Sequence, residues 1–135
     1  MSKSAIYTVN SSAQNVAING VISLGSIIRR FGPNLNLAGN AIQMNGAGYY
    51  DLDASITLAP TAIGNVTVSV FKDNVPIPGA TATESVETAN NPVNISINAL
   101  IREMCPCCDG LSNLTFVLTG TAASVTNIAV KVNKL

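Results

Sequence analysis

The sequence predicts an all-β protein, an antiparallel sandwich of about ten short strands in which a jelly roll is the favoured topology for 135 residues. Three observations carry that prediction. Short runs of Val, Ile, Thr and Leu alternate with small polar residues, Gly-, Pro- and Asn-rich turns cut those runs at regular intervals, and helical periodicity is almost absent. A period of two sends one set of side chains to a dry side and the other to water.

In chain order the strands are expected near 4–9, 14–18, 21–30, 35–37, 40–44, 48–59, 65–72, 76–83, 92–101, 113–119 and 124–132. In "GYYDLDASITLAP", Tyr50, Leu52, Ala54, Ile56 and Leu58 fall on one face and Asp51, Asp53, Ser55 and Thr57 on the other. In "NVTVSVFKDNVPIPGA", Val66, Val68, Val70 and Lys72 share a face, and "KDNV" supplies the turn of a hairpin. "ISINALIREM" offers the one helical alternative, through Ile95, Ala99 and Arg102, but its Asn and Ile content favours a strand. The closing "ASVTNIAVKVNKL" alternates Val125, Asn127, Ala129 and Lys131 against Thr126, Ile128, Val130 and Val132, so the C-terminus is expected to be tied into a sheet. One domain, residues 1–135, accounts for the chain, and this length buries a core without metal or disulfide staples.

Composition excludes several classes of function. Seven basic and seven acidic residues cancel, which leaves no electrostatic reason to approach nucleic acid or an anionic membrane. Only 10% of residues are charged against a usual share of roughly a quarter, so the surface must be shielded by partners or coated with uncharged polar groups. No apolar run approaches the roughly 20 residues of a membrane helix. The opening "MSKSAIYTVN" lacks the apolar region of a secretory signal, so synthesis and folding in a cytoplasm, with reduced thiols, are expected.

Three segments then carry a family resemblance. "NAIQMNGAGYYDLDASITL" opens a long alternating strand from a polar turn, "GNVTVSVFKDNVPIPGATA" joins a core strand to a short returning one, and "ASVTNIAVKVNKL" closes the chain. In this order they resemble the trimeric jelly-roll heads of tumour-necrosis-factor-like and complement-type proteins, and the heads of collagen-like spore-surface proteins, although a Gly-X-Y stalk is missing. A free-standing head of this size also resembles small virion proteins of tailed phages, as capsid decorations or fibre tips. The resemblance implies a homotrimer that buries an apolar face of each protomer around a three-fold axis, and so closes a low-charge surface against itself.

Candidate sites are few. Cys105, Cys107 and Cys108 lie in "MCPCCDG"; with no histidine and too tight a spacing, three thiols make a poor single-chain zinc site, and no thioredoxin-like pattern surrounds Cys105 and Cys108. A strand-connecting loop with partly buried thiols is the preferred reading, with a disulfide or soft-metal site on a three-fold axis as its alternative. Arg29 and Arg30 form the most basic spot and a candidate docking point for an acidic surface such as a capsid, against the plainer reading of a solvent face paired with carboxylates. In a strand they point to opposite faces. Asp51 and Asp53 share a face but lack a calcium loop, and Glu84 and Glu87 fall in a stretch expected to be an exposed loop.

Without histidine no single-chain Ser-His-Asp or Cys-His arrangement exists, and no phosphate loop opens a helix, so no enzyme activity and no cofactor are expected. The expectation is a virion structural protein, a trimeric capsid decoration or fibre-tip head acting by assembly and adhesion, with a capsid or fibre protein as partner. The rival is a receptor- or carbohydrate-binding head on a phage, bacterial or spore surface. A 4% share of aromatics counts against stacking on sugars.

Overall fold

Half-apolar strands need a second surface to hide against, and these strands find it in one another. The computed structural model describes residues 3–103 and 111–135. Among them eleven strands follow in order: β1 (Ser4–Asn10), β2 (Gln14–Val16), β3 (Ser26–Phe31), β4 (Leu35–Ala38), β5 (Ala41–Asn45), β6 (Gly48–Pro60), β7 (Gly64–Lys72), β8 (Val75–Val86), β9 (Val93–Glu103), β10 (Leu111–Thr119) and β11 (Ala123–Lys134). The first sheet has the order β3-β1-β11-β6-β9, with β2 added on β11, and the second has β4-β5-β10-β7-β8. Every pairing is antiparallel, and from β5 onward the chain crosses repeatedly between the sheets, as a jelly roll requires.

The core lies between the sheets and follows the alternation. Tyr50, Leu52, Ala54, Ile56 and Leu58 of β6 are buried, and they face Val66, Val68 and Val70 of β7 and Leu114, Phe116 and Leu118 of β10 across the sandwich. The "ISINALIREM" segment is a strand, since Ile95, Ile97 and Ile101 of β9 enter the same core at two-residue spacing. Lys72 pairs with Val75, which leaves Asp73 and Asn74 as a two-residue loop with φ of 50° and 68°. That is the primed turn whose twist suits a hairpin.

Three expectations shift. Residues 21–25 do not continue into β3. Val21 makes an isolated bridge to Val117, Ile22 and Leu24 are buried, and Gly25 turns the chain at φ 79°, where a Cβ would strike the carbonyl oxygen of Val9. β8 runs on to Val86, so Glu84 belongs to a strand and not to a loop. In β11 neither alternating set is buried as a whole. Ala123 and Val125 point inward, then Ile128, Val130 and Val132, because Val125 pairs with Leu58 while Asn127 already pairs with Thr57. Thr126 is the extra residue of a β-bulge, and its hydroxyl donates to the Thr57 carbonyl at 3.3 Å.

Two outcomes are expected. Val68→Asp places an unpaired charge at a position with 0% exposure, at a cost of several kcal/mol against a total stability of about 5–15 kcal/mol, and circular dichroism at room temperature should show loss of the folded state. Deleting Thr126 restores plain alternation and should leave a folded protein. Deleting Ala129 turns one half of β11 inside out relative to the other and should not, as chemical denaturation of the two variants would record.

Candidate functional site

Register fixes which side chains share the open face of the first sheet. Because Ile6, Val132, Leu52 and Ile101 point into the core, their neighbours point out. One outward row reads Phe31, Ala5, Asn133, Asp51 and Leu100, and the next reads Arg29, Tyr7, Lys131, Asp53 and Asn98. Beyond the first row, Tyr49 stands opposite Arg102, whose guanidinium carbon lies 5.9 Å from the Tyr49 ring centroid, and the Leu135 amide donates to the Tyr49 carbonyl at 2.9 Å. One end of the face therefore gathers Tyr7, Phe31, Tyr49, Leu100 and Leu135, with Phe31, Leu100 and Leu135 more than 60% exposed. Toward the other end Ser55, Thr57, Ser96 and Asn127 give an uncharged polar surface.

Charge on this face is local and balanced. Lys131 and Asp53, cross-strand partners, form an ion pair at 3.6 Å with both side chains about half exposed. Such a pair adds little stability in solvent. Asp51 and Asp53 lie on the solvated face as expected, and no group of His, Cys, Asp or Glu suited to a metal ion occurs among the described residues. Cys105, Cys107 and Cys108 lie outside the described residues.

Next to Leu100 and Arg102 a cleft of about 480 Å³ opens between the edges of β8 and β9, walled by Val75, Pro76, Ile77 and Pro78. Pro76 and Pro78 withhold backbone donors from the β8 edge, which protects it from pairing with stray strands. At the base of the cleft Lys72 ties the two sheets together: its ammonium donates to the Arg102 carbonyl at 2.9 Å and pairs with Glu103 at 3.5 Å. Glu103 is 4% exposed, and its charge reaches Tyr50, whose hydroxyl donates to the carbonyls of Gly46 at 2.9 Å and Asn45 at 3.2 Å. Burial first, and then the Glu103 charge, push the Tyr50 phenol above its ordinary value.

The two arginines separate as their strand demands. Arg29 stands opposite Tyr7 on the open face, while Arg30, opposite Ile6, bends around the sheet edge and donates through Nε to the Leu35 carbonyl of β4. Among the described residues neither is paired with a carboxylate. Glu84 lies on the β8 edge opposite Val66, in a different part of the fold. Sequence reasoning missed Lys72, Glu103 and the exposed Tyr49, Leu100 and Leu135; Tyr49 and Leu100 carried a signal only in the alternation that puts them opposite the buried Tyr50 and Ile101.

No family model and no curated protein matches the chain by sequence. Solved structures do match in shape. Murine APRIL superposes with a TM-score of 0.74 at 12% identity over 98% of this chain and 99% of that one. The globular domain of zebrafish complement 1qA protein gives 0.65 at 8% identity, covering 97% and 95%. The PRD1 vertex protein P5 gives 0.62 at 16% identity, covering 97% of this chain and 72% of that one. The fold is thus the tumour-necrosis-factor-like jelly roll. At these identities the likeness concerns the fold alone.

Tyr50 yields a pH prediction. A phenol whose pKa is raised by folding favours the native state fully below the unfolded value of about 10 and loses that contribution as pH climbs above it. Tyr50→Phe should cost about 1 kcal/mol at neutral pH through its lost hydrogen bonds. It should also flatten the fall of stability above about pH 10. Urea denaturation at pH 8 and above pH 10 checks this, and equal slopes for the two proteins would contradict it.

Proposed function

We propose that this chain is a virion structural protein, a homotrimeric jelly-roll head that decorates a phage capsid or tips a fibre. The observation that carries the reading is the likeness to the vertex protein P5 of the phage PRD1, which extends over 97% of this chain. Its work is assembly and adhesion; it makes and breaks no bond and resides on the virion.

The open face of the first sheet supports the self-association. It exposes Tyr7, Phe31, Tyr49, Leu100 and Leu135 together, and a patch of large apolar groups on a low-charge protein favours closure by symmetry over solution as a monomer. The contact is mixed in character. Lys131, Asp51 and Asp53 sit beside the aromatic end, so complementary charge sets the orientation of neighbouring copies while the apolar groups supply most of the association energy.

Native mass spectrometry or sedimentation should give three chains. Tyr49→Ser combined with Leu100→Glu, both outside the core, should weaken association at least tenfold, or about 1.4 kcal/mol, with an unchanged circular-dichroism spectrum. A stable dilute monomer of the unaltered protein would defeat the trimer. Mass spectrometry of purified virions tests the location, and a protein missing from the particle would defeat that half.

A further inference from the structure

Where the first sheet's edge meets the second, the turn from β3 to β4 leaves a hollow of about 150 Å³ lined by Arg30, Pro33, Asn34, Leu35, Asn36, Gln43 and Asn45. We propose that this hollow is a binding site for the carboxylate of an acidic sugar residue, with Arg30 as its anchor. It is independent of the virion reading and of the face proposed for self-association.

The site is held in shape by bonds that do not involve a ligand. Arg30 spends Nε on the Leu35 carbonyl, which fixes the plane of the guanidinium and leaves both terminal amino groups without an acceptor among the described residues. The Asn34 amide N–H donates to Ser4 Oγ at 3.1 Å, Ser4 Oγ and Asn34 Oδ1 are joined at 2.9 Å, and Asn34 Nδ2 donates to the Asn45 carbonyl at 2.6 Å, so the turn is pinned to β1 and to β5. Asn36 and Gln43 are direct cross-strand partners in the β4–β5 ladder and point away from the core, since their neighbours Leu35 and Met44 are buried. Among the described residues the side-chain amides of Asn36, Gln43 and Asn45 have no hydrogen-bond partner in the protein, so three unspent amides surround one oriented guanidinium.

That donor set selects its ligand. The hollow is lined by one cation and no acid, which matches a single negative charge; a phosphate dianion is better served by several cations. A free guanidinium edge takes a carboxylate through two parallel bonds. Amides donate and accept at once, as hydroxyls do, so they match hydroxyl groups flanking that carboxylate on a sugar ring. Of the two apolar residues at the wall, Leu35 is buried in the core, so the ring of Pro33 is the one apolar surface offered to a ligand. A uronic acid combines the carboxylate with the adjacent hydroxyls.

The test is a titration of the full-length protein followed by NMR of its arginine Nε–H and side-chain amide signals, with D-glucuronate, D-glucose and N-acetyl-glutamate as probes. Saturable shifts at Arg30, Asn36 and Gln43 are expected with glucuronate in the millimolar range and none with glucose. Arg30→Gln should weaken binding at least tenfold. Gln43→Ala, which removes no side-chain hydrogen bond among the described residues, should weaken it several-fold with the backbone spectrum intact, and so serves if the first variant is poorly folded. No saturable shift with glucuronate overturns the proposal, as does equal response to glucose. A response to N-acetyl-glutamate alone also overturns it, by assigning the site to protein carboxylates.

Discussion

Everything in this molecule depends on burying one side of each of two sheets against the other. β6 is the clearest case: of its thirteen residues eleven pair with β11 along one edge and eleven with β9 along the other, and their inward side chains are a continuous apolar row. Apolar area removed from water at about 25 cal/mol per Å² is the term that opposes the chain entropy. The charged groups stay at the margin of this interior. Glu103 and Lys72 meet at the mouth of the sandwich, where the ammonium spans from β7 to the β9 backbone and holds the two layers at one end.

The two outward faces then diverge in chemistry. The second sheet presents hydroxyls and amides that satisfy one another across strands, Thr67 with Thr83 at 2.8 Å, Ser69 with Thr81 at 2.9 Å and Ser85 with Asn65 at 2.6 Å. This is the uncharged polar coat that a chain with so few charged residues needs. The first sheet carries the exposed aromatic groups Tyr7, Phe31 and Tyr49 and the Lys131–Asp53 pair. Such asymmetry between faces is what a head that packs on itself by one side and meets solvent by the other would require, and it underlies the assembly reading.

The shape shared with APRIL, complement 1qA and the PRD1 vertex protein at 8–16% identity has a physical basis. The jelly roll asks for an alternating pattern, turns in the right places and a bulge where a strand must change face, and very different sequences meet those demands. Specific chemistry lies outside that list. At the margin, in the hollow beside Arg30, the fold leaves the terminal amino groups of Arg30 and the amides of Asn36, Gln43 and Asn45 unspent.

The sequence by itself determined the fold class, the hairpin at Asp73–Asn74 and the inward rows of β6 and β7, because a period of two and a pair of turn residues are local properties. It also separated Arg29 from Arg30, since adjacent residues of a strand point opposite ways. Tertiary structure decided the rest. The bulge at Thr126 is invisible in "ASVTNIAV" because both alternating sets there are half apolar, and only pairing with β6 selects between them. The strap from Lys72 to Glu103 joins residues 31 apart in the chain, and the Arg30 hollow draws on β3, β4 and β5 at once. Contacts between distant segments leave no periodic trace, so they become legible only when the sheets have closed.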